Sequence, residues 1–444
     1  MVGAAAIGAA LVGTIVAITA RHAKAVTPGC TVTAPAYGRY LLSTDQAQNA
    51  AIIAAVVLLY SVIAGRVARS WLSGPILFTC AGMIFGPLGL NVLRLELTAA
   101  DLKAIAEASL AKVLFTDAAN ADLKVLRRSF ALPNRLLLIG LPLTIALGFL
   151  AARALFPDMD LIVAALLATL LAPTDAALGA PVVTDEAVPA EIREALNVES
   201  GLNDGICVPL VIILLDLVVG AEVQHNGIGR IFTVIVEEIG VGLIAGVVFA
   251  TAAAWILRVA ARREWMSAHW AHVPVVALAG LCFASAQALG GSGFIACFVG
   301  GLVFGYLAER PKDLLGGAES TGEVLAMLTW IAFGGPLLGL LLPRVTLSMI
   351  AYAALSLTVV RMVPVFLSLA GSGLATAEKL FIGWFGPRGL ASIVFAVIIF
   401  DAGVPGRHTL AITTACTILM SILVHGATAN PLVAMLPRSR RNAG

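Results

Sequence analysis

The chain has 444 residues, of which 60% are hydrophobic and 12% are charged, and its net charge is +2. A soluble domain carries roughly 25% charged residues, so this chain has too few polar side chains to cover a water-facing surface. The small net charge provides no large basic surface for nucleic acid. The composition therefore indicates a polytopic membrane protein.

Apolar stretches long enough to cross a bilayer recur along the chain, since a transmembrane helix needs about 20 predominantly apolar residues. Candidate spans lie near 48–65, 71–93, 103–121, 135–156, 160–183, 196–219, 229–257, 269–288, 291–308, 322–342, 346–369, 379–401 and 409–436. The third is the weakest, because Glu107, Lys112 and Asp117 interrupt it. We predict an all-α fold of about thirteen core spans, forming one domain over residues 45–437.

The N-terminal segment, residues 1–44, contains a further apolar run and an external stretch. Its Ala23-Lys24-Ala25 triplet resembles a signal-peptidase site, but no basic residue precedes the apolar run. A cleaved signal peptide, an extra retained span and a wrongly chosen start codon all remain open.

Lysine and arginine concentrate in alternate loops, which sets the predicted orientation. Beginning with the loop after the first core span, one side collects most of them. The opposite loops hold little beyond Arg94, Arg230, Arg344 and Arg407. The rich side is predicted to be cytoplasmic, and residues 438–444 to form a short basic cytoplasmic tail.

The fifth span contains helix-breaking residues around a carboxylate. Pro173, Gly179 and Pro181 lie within nine residues, and Asp175 lies among them. Proline disrupts a helix, and unpaired backbone at membrane depth is tolerated only where it lines a cavity or is buried in protein. The pattern predicts a broken helix near 173–181, with a simple proline kink as the alternative.

The sixth span opens with Glu199, Ser200, Asn203 and Asp204. Because each helical residue turns by about 100°, these four side chains fall within an arc of roughly 140°. Hard cations are held by oxygen ligands, and a charge inside a span costs about 2.5–3.5 kcal/mol on insertion scales. The stripe predicts a cation site, with polar contact between helices as the alternative.

The twelfth span carries a second break, in which Gly386, Pro387 and Gly389 surround Arg388. It follows the fifth span by seven, as expected for two inverted repeats of six spans joined by a linker span. We therefore predict two crossed broken helices at mid-membrane. Asp175 would offset the positive helix ends of one break, and Arg388 the negative ends of the other.

Four segments resemble one family. The run Glu199-Ser-Gly-Leu-Asn-Asp-Gly205 resembles the E-S-x-x-N-D signature of monovalent cation:proton antiporters, a group that includes bacterial and animal sodium/proton exchangers. Thr174-Asp175 resembles the T-D-P motif of the family, although Ala176 stands where proline is usual. The segments 290–296 and 386–389 are also similar to that family, and the resemblance covers residues 45–437.

The resemblance implies an inverted-repeat fold of thirteen spans, usually a homodimer, in the plasma membrane. It implies that Asp204 binds the cation, with Ser200 and the backbone of Thr174 nearby as further metal ligands. Glu199 would act through water or pair with Arg361 of the eleventh span, in a structural ion pair. An Asn203-Asp204 pair, rather than two aspartates, is typical of the electroneutral branch.

The expected function is exchange of Na⁺ or Li⁺ for H⁺, because Asp204 can hold a proton or, once ionised, a cation. The ions are substrates, and no other cofactor is expected. A K⁺/H⁺ exchanger of the same fold is the strongest alternative. An intramembrane enzyme with Ser200 or Asp204 catalytic would require a base such as histidine close by, and a channel or receptor is a further alternative.

Overall fold

The computed structural model describes residues 44–67, 72–95, 99–120, 131–175, 178, 182, 185, 187–221, 235–267, 270, 273–308 and 311–435. These residues form helices and turns, and no β-strand occurs among them. The expectations for residues 1–43 and for the basic tail at 438–444 lie outside the described residues.

The helices follow the order of the predicted spans. They are α1 (Thr44–Val67), α2 (Gly74–Phe85), α3 (Ala99–Asn120), α4 (Ala131–Leu155), α5 (Leu161–Leu170), α6 (Ala190–Ala221), α7 (Val241–Arg262), α8 (Val273–Ala288), α9 (Gly293–Leu307), α10 (Pro311–Ala332), α11 (Leu347–Ser368), α12 (Thr376–Trp384), α13 (Leu390–Asp401) and α14 (Arg407–Met435). A π-helical turn at Leu136–Gly140 lies within α4, another at Ile235–Gly240 precedes α7, and a third at Phe333–Leu337 follows α10.

Every one of the thirteen predicted spans coincides with at least one of these helices. In the described part of the chain, seven helices are long and apolar enough to cross a membrane, and five shorter apolar helices accompany them. The all-α polytopic fold class is therefore confirmed.

The second predicted span was too long. Residues 71–93 were expected to span, but α2 ends at Phe85. Pro87 has no backbone N–H and disfavours helical geometry in the residue before it. The chain turns back instead, with Leu90 N donating to Ile84 O at 2.7 Å and Asn91 in the left-handed region at φ 52°.

Helix α3, the weakest span by sequence, lies in the interior. Leu110 and Phe115 are fully buried and Lys112 is nearly so. The helix packs against α9, α10 and α13. An apolar-only criterion undervalues such a helix, because its charged residues face protein rather than lipid. It joins the α7–α10 group to the broken helices.

The contact between α3 and α9 requires glycine. A Cβ at Gly301 would lie 2.3 Å from the carbonyl oxygen of Phe115, and one at Gly305 would lie 2.3 Å from that of Ala119. Small residues let helix backbones approach closely in a membrane protein. These two glycines therefore set the distance between α9 and α3.

We predict that Gly301→Ala destabilises the protein by about 1–3 kcal/mol, the usual cost of overpacking, because the new methyl group meets backbone that cannot move aside. Thermal melting of the purified protein in detergent measures the effect. Gly280→Ala in α8 is the matched control, since no atom lies within 4 Å of its added Cβ. Equal melting temperatures for the two variants would contradict this packing.

Candidate functional site

The first helix break begins where α5 ends at Leu170 and continues through Asp175 in non-helical backbone. The second lies between α12 and α13, over residues 385–389. The two breaks touch directly, since Asp175 N donates to Pro387 O at 2.8 Å. The predicted crossing of two broken helices is therefore present in the described residues.

Each break supplies the charge that the other needs. Nη1 of Arg388 donates to the carbonyl oxygens of Ala172 at 2.7 Å and Pro173 at 3.1 Å, beyond the C-terminal end of α5. Oδ2 of Asp175 accepts from the N–H of Leu390 at 2.9 Å, at the N-terminal end of α13. Helix C-termini favour positive charge and N-termini favour negative charge. The predicted charge compensation is therefore reciprocal. Arg388 of the second break serves the C-terminal end of α5, and Asp175 of the first break serves the N-terminal end of α13.

A glycine makes this arrangement possible. A Cβ at position 389 would lie 1.8 Å from Oδ2 of Asp175, so any other residue there would displace the carboxylate. Ser392 adds a second connection, because its hydroxyl donates to Leu170 O at 2.8 Å. The first turn of α13 is therefore held against the last turn of α5.

The polar stripe of α6 faces the first break, as predicted. The hydroxyl of Ser200 donates to Thr174 O at 2.6 Å. Nδ2 of Asn203 donates to Thr174 Oγ1 at 2.8 Å, and its Oδ1 accepts from Thr174 N at 3.3 Å. Thr174 is thus held by three hydrogen bonds from one face of α6, and the structure brings these three predicted residues together.

Glu199 turns to a different partner. Both of its oxygens accept from the guanidinium of Arg361, at 2.5 and 2.7 Å, and both side chains are 1% exposed. The predicted pair is therefore present and bidentate. Glu199 was also predicted to take part in binding cation or proton, and that role stays a prediction beside the contacts of both oxygens with Arg361.

Asp204 is the predicted carboxylate that keeps an available oxygen. It is 8% exposed, and among the described residues Oδ1 has no hydrogen-bond partner. It lies one helical turn after Ser200 and directly follows Asn203. The next residue, Gly205, is where α6 meets α9, since a Cβ there would lie 2.2 Å from the ring of Phe298. A buried carboxylate oxygen without a donor suits a monovalent cation or a proton.

Asp117 of α3 is a carboxylate that our sequence analysis did not assign to the site. Its Cβ lies 3.5 Å from the position of a Cβ on Gly201, so Asp117 lies against α6 at the residue that follows Ser200. The sequence did contain a sign of this role, because Asp117 is a carboxylate inside a predicted membrane span. In the sequence analysis we used it only to mark the third span as weak.

In the part of the chain that the structure describes, Ser200 has no catalytic base beside it. The Ser200 hydroxyl donates to a backbone carbonyl. The ring nitrogens of His425 contact Ser421 and Trp384 O rather than Ser200. Neither contact activates a nucleophile, which would require a base within hydrogen-bond reach.

We predict that Arg361→Met destabilises the protein by about 3–5 kcal/mol, because it leaves the buried Glu199 carboxylate unpaired. Adding Glu199→Gln to the same variant removes that charge and should recover much of the loss. Melting temperature and yield of folded protein measure both effects. Arg407→Met, at the partly exposed start of α14, is the control. A stable Arg361→Met protein with only a shifted ion preference would argue against a structural pair.

Comparison with known proteins points to one group. The sequence profile of the family described as sodium/hydrogen exchanger, transmembrane, matches residues 51–435. A K(+)/H(+) antiporter, NhaP2 of Shewanella sp. (strain ANA-3), is 25% identical over 386 residues, which are 85% of this chain and 64% of that protein. A probable Na(+)/H(+) antiporter of Schizosaccharomyces pombe is 24% identical over 343 residues, which are 72% of this chain and 44% of that protein.

The chain therefore spans less than two thirds of the length of these curated relatives. Among solved structures, the sodium proton antiporter MjNhaP1 of Methanocaldococcus jannaschii at pH 8 superposes with a TM-score of 0.68 and 20% sequence identity. The superposition covers 89% of this chain and 100% of the other, which shows that the two share a fold. From the match over residues 51–435, the chain belongs to the sodium/hydrogen exchanger family.

Proposed function

We propose that this protein exchanges Na⁺ or Li⁺ for H⁺ across a membrane, with Asp204 as the group that carries either ion. The observation that supports this most directly is Oδ1 of Asp204, a buried carboxylate oxygen without a donor among the described residues. The oxygens of Ser200 and Thr174 lie on the same side of α6 and would complete the ligand set. The ions are the substrates, and no other cofactor is required.

Competition at one carboxylate provides the coupling. An ionised Asp204 attracts a cation, whereas a protonated Asp204 is neutral and cannot balance one. Loading one ion therefore requires release of the other. Asp117 adds negative charge nearby, which favours occupancy by some positive charge at all times.

The hydrogen bonds between the two breaks would let the elements around the site move together, as alternating access requires. Hydrogen bonds join α5, α6 and α13 through Thr174, Asp175 and Arg388. These elements would move as one unit, rocking against the group that contains α3 and α9 and exposing Asp204 to each side in turn. Such exchange needs no nucleotide hydrolysis.

The proposal includes the location and the orientation of the protein. We place the chain in the plasma membrane as a multi-pass protein with its C-terminus in the cytoplasm, on the strength of the loop lysines and arginines. Assembly as a homodimer in the lipid bilayer is also part of the proposal. Nucleic acid has no role in it.

Potassium is the second candidate substrate, because NhaP2 is named a K(+)/H(+) antiporter. Purified protein in liposomes containing a pH-sensitive dye separates the candidates when Na⁺, Li⁺ and K⁺ are added in turn. Proton movement with Na⁺ or Li⁺ but not K⁺ supports the proposal. Movement with K⁺ alone would transfer the assignment to the alternative.

Asp204→Asn should reduce exchange to the level of empty liposomes while leaving the fold intact. The amide keeps the size and much of the hydrogen bonding of the carboxylate but can neither balance a cation nor release a proton. The melting temperature should stay the same or rise slightly, since a buried charge is removed. Asp158→Asn, in the exposed turn between α4 and α5, is the matched control and should transport normally.

Retained exchange in well-folded Asp204→Asn protein would refute this assignment. Competition between cation and proton should also be visible in the wild type. The apparent KM for the cation should rise as pH falls, approaching about tenfold per pH unit where a single proton competes. A KM independent of pH between 6 and 9 would contradict competition at one group.

The stoichiometry should be one cation for one proton. Asn203 is neutral, and its amide is committed to Thr174, which leaves Asp204 as the exchanging carboxylate. Transport should then proceed at the same rate with and without an imposed potassium/valinomycin potential. Clear acceleration by that potential would indicate that a second proton, for which Asp117 is a candidate, also crosses.

A further inference from the structure

The last helix, α14, presents a row of polar side chains to the second break. Ser421, His425 and Thr428 are spaced at i, i+4 and i+7 and therefore lie on one face. Ser421 and His425 are buried. None of these residues belongs to the cation site described above.

This row contacts the break at both ends. At one end, Arg388 N donates to Oγ of Ser421 at 2.8 Å. At the other, Nε2 of His425 lies 2.9 Å from Trp384 O, and Nε1 of Trp384 donates to Oγ1 of Thr428 at 2.9 Å. Trp384 is the last residue of α12, where backbone carbonyls lack partners within the helix. One neighbouring helix thus holds the non-helical segment near both of its ends, at Trp384 and at Arg388.

The ring of His425 links these contacts. Both of its nitrogens lie within hydrogen-bond distance of a backbone carbonyl, Nε2 2.9 Å from Trp384 O and Nδ1 3.0 Å from Ser421 O. In a neutral imidazole one nitrogen carries the hydrogen and donates, and the other accepts. Nδ1 is 3.1 Å from Oγ of Ser421. That hydroxyl can donate to the ring while accepting from Arg388 N.

We propose that Ser421 and His425 are positioning residues that set cation affinity through Arg388. Its guanidinium holds the carbonyls of Ala172 and Pro173. The next residue, Thr174, is the one bonded to the cation-site stripe of α6. A shift of the Arg388 backbone would therefore move Thr174 relative to Asp204.

The test compares KM for the exchanged cation with maximal rate, in the full chain reconstituted in liposomes. Ser421→Ala and His425→Phe should each raise KM at least tenfold, with a smaller change in maximal rate per folded protein. His425→Gln should give an intermediate KM, because its amide nitrogen can still donate to Trp384 O. A purely structural role would instead lower the amount of folded protein and leave KM unchanged.

Thr417→Val is the matched control. Thr417 is buried one turn before Ser421, but its hydroxyl donates to Thr413 O within α14. Its KM should stay within twofold of wild type. An unchanged KM in Ser421→Ala, or an equal rise in Thr417→Val, would overturn the proposal. Should His425→Phe fail to fold, Ser421→Ala and His425→Gln still decide the outcome.

This inference rests on the proposed exchange activity, and a binding measurement separates the two. Na⁺, Li⁺ and K⁺ are each titrated against the melting temperature of detergent-solubilised wild type, since a ligand that binds the native state stabilises it. Wild-type protein with neither exchange nor stabilisation would refute the proposed function. Wild-type exchange together with normal cation affinity in the Ser421→Ala variant would refute only the positioning role.

Discussion

Two helices of this protein stop inside the membrane, and the backbone groups left at their ends have no water to bind. Each unsatisfied group in hydrocarbon costs several kcal/mol. The structure meets this constraint with two charges, Arg388 at the end of α5 and Asp175 at the start of α13. Because each charge serves the opposite break, neither helix can move away without exposing both. The remaining polar contacts of the site surround these two charges.

The carboxylates of the candidate site differ in how many of their oxygens are already hydrogen-bonded. Asp175 accepts backbone hydrogen bonds, and Glu199 is held on both oxygens by Arg361. A buried ion pair adds little net stability over apolar packing, but losing one partner is costly. Both carboxylates therefore have structural partners. Oδ1 of Asp204, by contrast, has no hydrogen-bond partner among the described residues.

Polar residues outside the site also hold the broken helices in place. Helix α14 fixes the second break through Ser421 and His425, and Ser392 ties α13 to α5. The close glycine contacts of α9 with α3 hold the facing group of helices together. The molecule thus combines a hydrogen-bonded unit that carries the breaks with the closely packed pair α3 and α9, and α3 packs in turn against α13 of that unit.

The fold class, the approximate places of the spans and the two breaks were predictable from the sequence alone. These follow from local properties: apolar length, proline and glycine positions, and charges too costly to bury without purpose. The same charges predicted the residues of the candidate site, and the family resemblance implied the Glu199–Arg361 pair.

The partners of the charged and polar groups depended on the tertiary structure. Contacts between residues far apart in the chain place Asp175 at the start of α13 and Arg388 beyond the end of α5. Such contacts also bring Asp117 against α6 and His425 to Trp384 O. The end of α2 at Phe85 was misjudged from composition, and the contacts that bury α3 were not predicted. Apolar periodicity records which residues avoid water, but a helix buried in protein and one facing lipid both satisfy it, so the partners of each polar group emerge only when the helices pack.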